Sequence, residues 1–154
     1  MGELIFVNLA NKEFHLQGKN LSYIFNVMQN GQLGQLYFGK KIKHRDCFKH
    51  FFFKPEVGVG IIAHYEEDPG FSLEYFKQEY PSYGTTDFRK PAFEIESENG
   101  SRITNFIYKS HRVYKGKEKL EGLPSTYCIN NDEADTLEIV LEDEIIKCRL
   151  YLVY

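Results

Sequence analysis

An all-β fold of antiparallel strands is predicted by three observations. Apolar and polar residues alternate with the strand period of two in several stretches, Leu21 to Met28 and Thr136 to Leu141 among them. Tight-turn dipeptides, Asn30-Gly31 and Asn99-Gly100, punctuate the chain between such stretches. Phe and Tyr, which favour strands, number 13 and 11, with no Trp. The 154 residues suit one domain with a real core, or a part of a larger sheet protein.

Leu4 to Asn8 and Glu13 to Gln17 are predicted as short strands, with Asn11-Lys12 as the turn between them. Leu21, Tyr23, Phe25 and Val27 give a third strand one apolar face. Asn30-Gly31 turns the chain into a returning strand, Leu33 to Ile42, so the first strands form a meander. Gly34 and Gly39 within it predict a bulge or a close backbone approach.

From Lys40 to Lys54 the chain is basic and aromatic together, with Lys40, Lys41, Lys43, Arg45, Lys49 and Lys54 around Phe48 and Phe51-Phe52-Phe53. Interleaved cations and rings suit a single-stranded nucleic-acid groove, and also a solvated loop with an aromatic anchor. A net charge of -3 and the lack of an RNA-binding motif favour the loop. Val57 to Ala63 is predicted as a short strand; Gly58 and Gly60 lack the third glycine and the helix of a phosphate loop. His44, His50 and His64 fit no common zinc spacing and read as ordinary surface histidines. Glu66-Glu67-Asp68 with Pro69-Gly70 reads as a solvated acidic turn, and Phe71 to Gln78 as holding one helical turn capped by Ser72.

Glu79 to Ala92 is the stretch around which the chain is organised. Pro81 and Pro91 bracket it and hold the residues before them extended, while Gly84 permits a turn that a β-carbon would hinder. Thr85, Thr86 and Asp87 can bond back to nearby amides, and the Arg89 fork can tie Asp87 or loop carbonyls. An ordered structural corner is expected; the alternative is a docking or recognition surface.

Beyond it, Phe93 to Glu96 alternates, Asn99-Gly100 turns the chain, and Ile103 to Tyr114 is predicted as a long strand. Asn99-Gly100-Ser101 also matches a glycosylation acceptor, but the turn reading is preferred. Lys115-Gly116-Lys117 and Gly122-Leu123-Pro124 punctuate a loop. Thr136 to Leu141 alternates, Glu142-Asp143-Glu144 is predicted to turn, and Ile145 to Tyr154 closes the chain with Ile146, Cys148, Leu150, Leu152 and Tyr154 on one face. An apolar terminal strand would leave an unpaired edge, so either something pairs with it or the natural polypeptide continues, and the sequence looks cut.

Cys47, Cys128 and Cys148 are too few and scattered for a disulfide scaffold or zinc knuckle, and suit free thiols in a reducing compartment. No signal peptide and no stretch of membrane-spanning length is read, so a soluble cytoplasmic protein is expected.

Leu36-Tyr37-Phe38-Gly39-Lys40 and Glu79 to Ala92 resemble the N-terminal region of α-galactosidases of glycoside hydrolase family 36. So do Asn99-Gly100-Ser101, His111-Arg112-Val113-Tyr114-Lys115-Gly116-Lys117, Gly122-Leu123-Pro124-Ser125-Thr126-Tyr127 and Thr136-Leu137-Glu138-Ile139-Val140-Leu141, in the family's order and near its spacing. The resemblance runs from about Phe14 to Tyr154. It implies the first part of a large antiparallel β-sandwich of the supersandwich type, followed in the family by a catalytic (β/α)8 barrel and a small C-terminal sheet domain.

The resemblance implies a parent enzyme that hydrolyses terminal α-galactosides such as melibiose and raffinose with retention, which needs two carboxylates. The family keeps both as aspartates of the barrel. Asp46, Asp68, Asp87, Asp132, Asp135 and Asp143 are therefore not catalytic candidates, and the clusters Glu66-Glu67-Asp68 and Asp132-Glu133 sit in turn-like contexts. No catalytic, metal or cofactor residue is assigned within the chain. In tetrameric members a loop of this domain reaches a neighbouring subunit's active site, by position about Arg45 to Gly70 here. The family's Arg-x-Phe-Ser-Pro run is absent from it, and Pro55-Glu56-Val57 stands near the expected acidic sugar ligand, so that role is not carried to Glu56.

The preferred reading is a non-catalytic sandwich domain that packs on the barrel, builds a homo-oligomer and helps complete a substrate pocket. The alternative is a stand-alone carbohydrate-binding module, which the lack of Trp disfavours. Neither a nucleic acid nor a membrane is an expected partner.

Overall fold

The structure is a computed structural model that describes residues 4–53, 65, 67–85, 87, 89–119, 121–122, 126 and 128–154. Its strands are β1 (Ile5–Asn8), β2 (Glu13–Gln17), β3 (Leu21–Val27), β4 (Leu33–Lys40), β5 (Ile107–Lys115), β6 (Asp135–Asp143) and β7 (Cys148–Val153). They form two antiparallel sheets, ordered β1-β2-β3-β4 and β5-β6-β7. Among the described residues the helical elements are single 3₁₀ turns, and none is long and apolar enough to cross a membrane.

Register follows the alternation. The row Val7, Phe14, Phe25 and the row Ile5, Leu16, Tyr23, Phe38 lie on one face of the first sheet. That face packs on Leu137, Ile139 and Leu141 of β6 and on Cys148, Leu150 and Leu152 of β7. Phe14, Phe25, Leu137 and Ile139 are fully buried, each stabilising by roughly 1.5–3 kcal/mol relative to exposure. The second sheet thus covers most of this apolar face. At the far end of that face Leu21 and Phe38 stay exposed.

β4 carries its bulge at Leu36, between Gly34 and Gly39, where the register jumps from Tyr37 to Gln35 opposite Ile24 and Phe25. Both glycines are close approaches instead. A β-carbon on Gly34 would meet Met28 Cγ at 2.7 Å, and one on Gly39 would meet the Tyr37 hydroxyl at 2.8 Å. β4 stops at Lys40 rather than Ile42, because Lys41 N donates to Asn20 O and Ile42 N to the Ser22 hydroxyl. Its open edge is covered by residues 77–79: Gln35 N donates to Lys77 O, and Glu79 N to Leu33 O.

The second half departs further from expectation. Residues 93–96 form no strand, although Phe93 and Ile95 turn toward the core and Glu94 and Glu96 toward solvent. β5 begins at Ile107 rather than Ile103, since Thr104 N bonds Tyr83 O and Asn105 N bonds the Asp143 carboxylate. β6 runs through Asp143, and the turn falls at residues 144–147, with Lys147 at φ 57°. The one-turn helix is found at Leu73–Tyr75, with the Ser72 hydroxyl accepting from Glu74 N as its cap. The strand predicted for Val57 to Ala63 lies outside the described residues, as do Glu56, His64 and Glu66.

Candidate functional site

Loop 79–92 is held from several sides. Asp87, 4% exposed, accepts Arg89 N and Nε on Oδ1 and Arg89 Nη2 and Gln78 Nε2 on Oδ2. Burial pushes the Asp87 carboxyl up, but the bonds from Arg89 and Gln78 outweigh it and hold the group below the usual carboxylate range. The same Arg89 Nη2 donates to Leu73 O and Phe76 O, at 3.0 and 2.7 Å, pinning the 3₁₀ turn to the loop. The Arg89 fork thus takes both partners the sequence offered it.

Gly84 sits at φ 104°, and a β-carbon there would lie 2.9 Å from the Ile103 Cα. The loop carbonyl of Tyr83 receives both Thr104 N and the Thr104 hydroxyl, and Gln32 Nε2 donates to the Thr85 hydroxyl. At the loop's start the Glu79 carboxylate accepts the Tyr23 and Tyr154 hydroxyls, joining β3, the loop and the residue after β7. Burial and the nearby Glu79 carboxylate raise both phenols above their ordinary value. Thr86 and Phe88 lie outside the described residues. The loop is an ordered corner whose outward residues include Tyr80, Tyr83, Arg89 and Lys90.

The basic, aromatic stretch is also ordered. Residues 41–52 cross the outer face of the first sheet, where Phe48 is buried with Ile24 and Leu36. Lys41, Lys43, Arg45 and Lys49 remain exposed. Beside them a shallow cleft of about 90 Å³ is lined by Gln35, Phe51, Phe52, Phe53, Tyr75 and Lys77 among others. His44 is not an ordinary surface histidine: it is half-buried, stacks on Phe6 with ring centres 4.2 Å apart, and meets His15. His50 is exposed as expected. His15 escaped the sequence reading, and its one signal was a position on the same strand face as Glu13 and Gln17. Among the described residues, no group of three or more His, Cys, Asp or Glu could hold a metal ion.

Several of the carboxylates have structural partners. Asp143, 2% exposed, accepts Ile145 N and Ile146 N on Oδ1 and Asn105 N on Oδ2, which closes the β6–β7 turn and stops β5 from starting earlier. Asp135 pairs with Lys115, and Asp68 accepts Gly70 N within its turn. Asp46 and Asp132 are exposed. Asp87 and Asp143 each have both oxygens engaged by protein donors, which leaves neither free to act as nucleophile or proton donor.

The glycosyl hydrolase family 36 N-terminal domain matches residues 31–154. The α-galactosidase AgaA of Geobacillus stearothermophilus is 41% identical over 148 residues, which is 96% of this chain and 20% of that protein. The crystal structure of an α-galactosidase from Lactobacillus brevis superposes with a TM-score of 0.89 at 40% identity, over 97% of this chain and 20% of the other. A variant of AgaA in complex with raffinose superposes with a TM-score of 0.82 at 41% identity, over 93% and 20%. The chain therefore spans about a fifth of the length of the relatives it matches. On this likeness in sequence and fold, the chain belongs to the family of glycosyl hydrolase family 36 N-terminal domains.

Proposed function

We propose that the chain is the non-catalytic N-terminal domain of a retaining α-galactosidase acting on terminal α-galactosides of the melibiose and raffinose type. The observation that carries this is the domain match over residues 31–154 in a chain that spans a fifth of α-galactosidases. The engaged oxygens of Asp87 and Asp143 support a non-catalytic role, and the raffinose complex of AgaA supports the substrate class. The domain's work is to pack on a catalytic barrel, to build a homo-oligomer and to help complete a substrate pocket. Three free thiols, at Cys47, Cys128 and Cys148, favour operation in the cytoplasm.

The test is to read the gene onward from the Tyr154 codon and to assay the complete product on melibiose and raffinose. Further strands followed by βα repeats over on the order of 250 residues, with galactose released, are the expected outcome. An immediate stop codon overturns the proposal. The cleft lined by Phe51, Phe52 and Tyr75 with Gln35 and Lys77 favours a second reading, a stand-alone carbohydrate-binding module. That reading requires the 154-residue chain by itself to bind galactosides in a titration.

A further inference from the structure

Residues 41–52 form a strap over the row Phe6, His15, Ile24 and Tyr37, which β1 to β4 align on the outer face of the first sheet. Polar ties fasten it along its length. Ile42 N donates to Ser22 Oγ, Gln17 Nε2 to Ile42 O, and Phe48 N to Glu13 Oε2. Between these ties His44 lies on Phe6 and faces His15, Nδ1 to Nδ1, at 3.1 Å.

The surrounding bonds decide where the His15 proton sits. Gln17 Nε2 donates to Ile42 O at 2.8 Å, which sets the orientation of its amide, and lies 3.3 Å from His15 Nε2. Ser22 Oγ accepts from Ile42 N and lies 2.9 Å from the same ring nitrogen, a position compatible with either direction of hydrogen bond. The Gln17 amide facing His15 Nε2 sets that nitrogen as an acceptor, and the neutral ring carries its hydrogen on Nδ1. That hydrogen is donated to His44 Nδ1, so His44 carries its own on Nε2. One proton fits between the rings and a second does not. A proton on His44 Nδ1 would set two N–H groups head-on, and one on His15 Nε2 would oppose the Gln17 amide. His15 is 1% exposed, so water cannot relieve either clash.

The other charged and titratable neighbours do not offset this. Lys41 on the strap disfavours a further positive charge, and the Glu13 carboxylate on β2 is taken by Phe48 N. His50 lies tilted beside Phe48 and is exposed, Tyr37 of β4 bonds Lys40 O, and Lys43, Arg45, Asp46 and Lys49 are exposed. β1 and β3 present Phe6, Ser22 and Ile24, which carry no charge. Burial first, then His44 and Lys41, depress His15 from 6.5 to about 4.

We propose that the His15–His44 pair is an acid-labile clasp, in which uptake of a second proton expels His44 from the sheet and frees the strap of residues 41–52. The docked state binds fewer protons than the released one between the depressed and the ordinary histidine value. Docking is therefore complete above about pH 6.5 and is lost as the pH falls toward about 4.

Hydrogen exchange on the expressed protein tests this, read as protection factors of the Ile42 and Phe48 amides against those of β6. From pH 7 to pH 5 the strap amides should lose about tenfold protection relative to β6. His44→Phe keeps a ring on Phe6 and removes the facing Nδ1 but leaves His15 buried, so its strap should lose clearly less protection than that of the unmodified protein. Glu13→Gln should still show the loss. A strap that keeps pace with β6 in the unmodified protein overturns the clasp. So does a loss retained in His44→Phe and abolished in Glu13→Gln, which would assign it to the carboxylate. Nitrogen NMR of the unmodified protein at pH 7 provides a check independent of variants: His15 should be the Nδ1–H tautomer and His44 the Nε2–H tautomer, and the reverse pair overturns the proposal.

Discussion

Asp87 and Arg89 show how much two residues can fix. The pair closes the loop on itself and, through Arg89 Nη2, fastens it to the carbonyls that end the 3₁₀ turn. Arg89 is half exposed, which weakens the Coulombic part, so the charge-assisted bonds dominate. Asp87→Asn should lower stability by about 1–2 kcal/mol at pH 7, measured by urea unfolding. The Asp87 carboxyl is held below its unfolded value, so the unfolded chain binds more protons and this stability is lost as the pH falls below about 4. At pH 3 the difference between the variant and the unmodified protein should narrow. Gly84→Ala tests the backbone directly: φ 104° and a 2.9 Å approach to the Ile103 Cα should cost about 1–3 kcal/mol. Gly100→Ala, at φ 79° with no atom nearby, should cost less in the same assay.

Elements were legible where alternation coincided with a ladder. β1 to β3 keep close to their predicted bounds because a period of two reports which face is buried, whereas β7 starts at Cys148 rather than Ile145. Residues 93–96 show the limit, since an extended segment lying on the core rim alternates in the same way without being part of a described strand. β5 loses its expected start to Asp143, which is 38 residues away from Asn105 in the chain. Distance along the chain also hid the site's two other ties: His15 and His44 are 29 residues apart, and Glu79 and Tyr154 are 75 apart. Asp87 and Arg89 were legible because they lie two positions apart in the chain. The strap gives this scale its prediction. Phe25 is buried in the main core and Phe48, on the strap, is buried against the sheet, both essentially inaccessible. Phe25→Ala should cost the whole domain about 3–5 kcal/mol in urea. Phe48→Ala can cost global stability no more than the docking of the strap contributes. It should show first as lost amide protection in residues 41–52, with β6 little changed.

At the scale of the whole molecule, the two sheets are unequal. The three strands of the second cannot cover all four of the first, which is why Leu21 and Phe38 are 43% and 69% exposed at one end of the core face. Burying that end is favourable at roughly 25 cal/mol per Å² of apolar area, so the 154-residue chain should self-associate through it. Among the described residues no strand pairs with the outer edge of β7, which competes as the contact. Tyr154 and Leu137 exchange both backbone bonds, so by alternation the N–H groups of Val153 and Tyr151 point away from β6. The two routes therefore respond to different substitutions. Leu21→Ser with Phe38→Ser should shift sedimentation toward monomer if the uncovered face is the contact. Val153→Pro should do so if the edge is, because it removes an outward N–H while leaving the bonds to β6 in place. The expected result is that the serine pair acts and the proline does not, since the face offers apolar area where the edge offers hydrogen bonds that water already satisfies. Sedimentation left unchanged by the serine pair would refute association through the uncovered face.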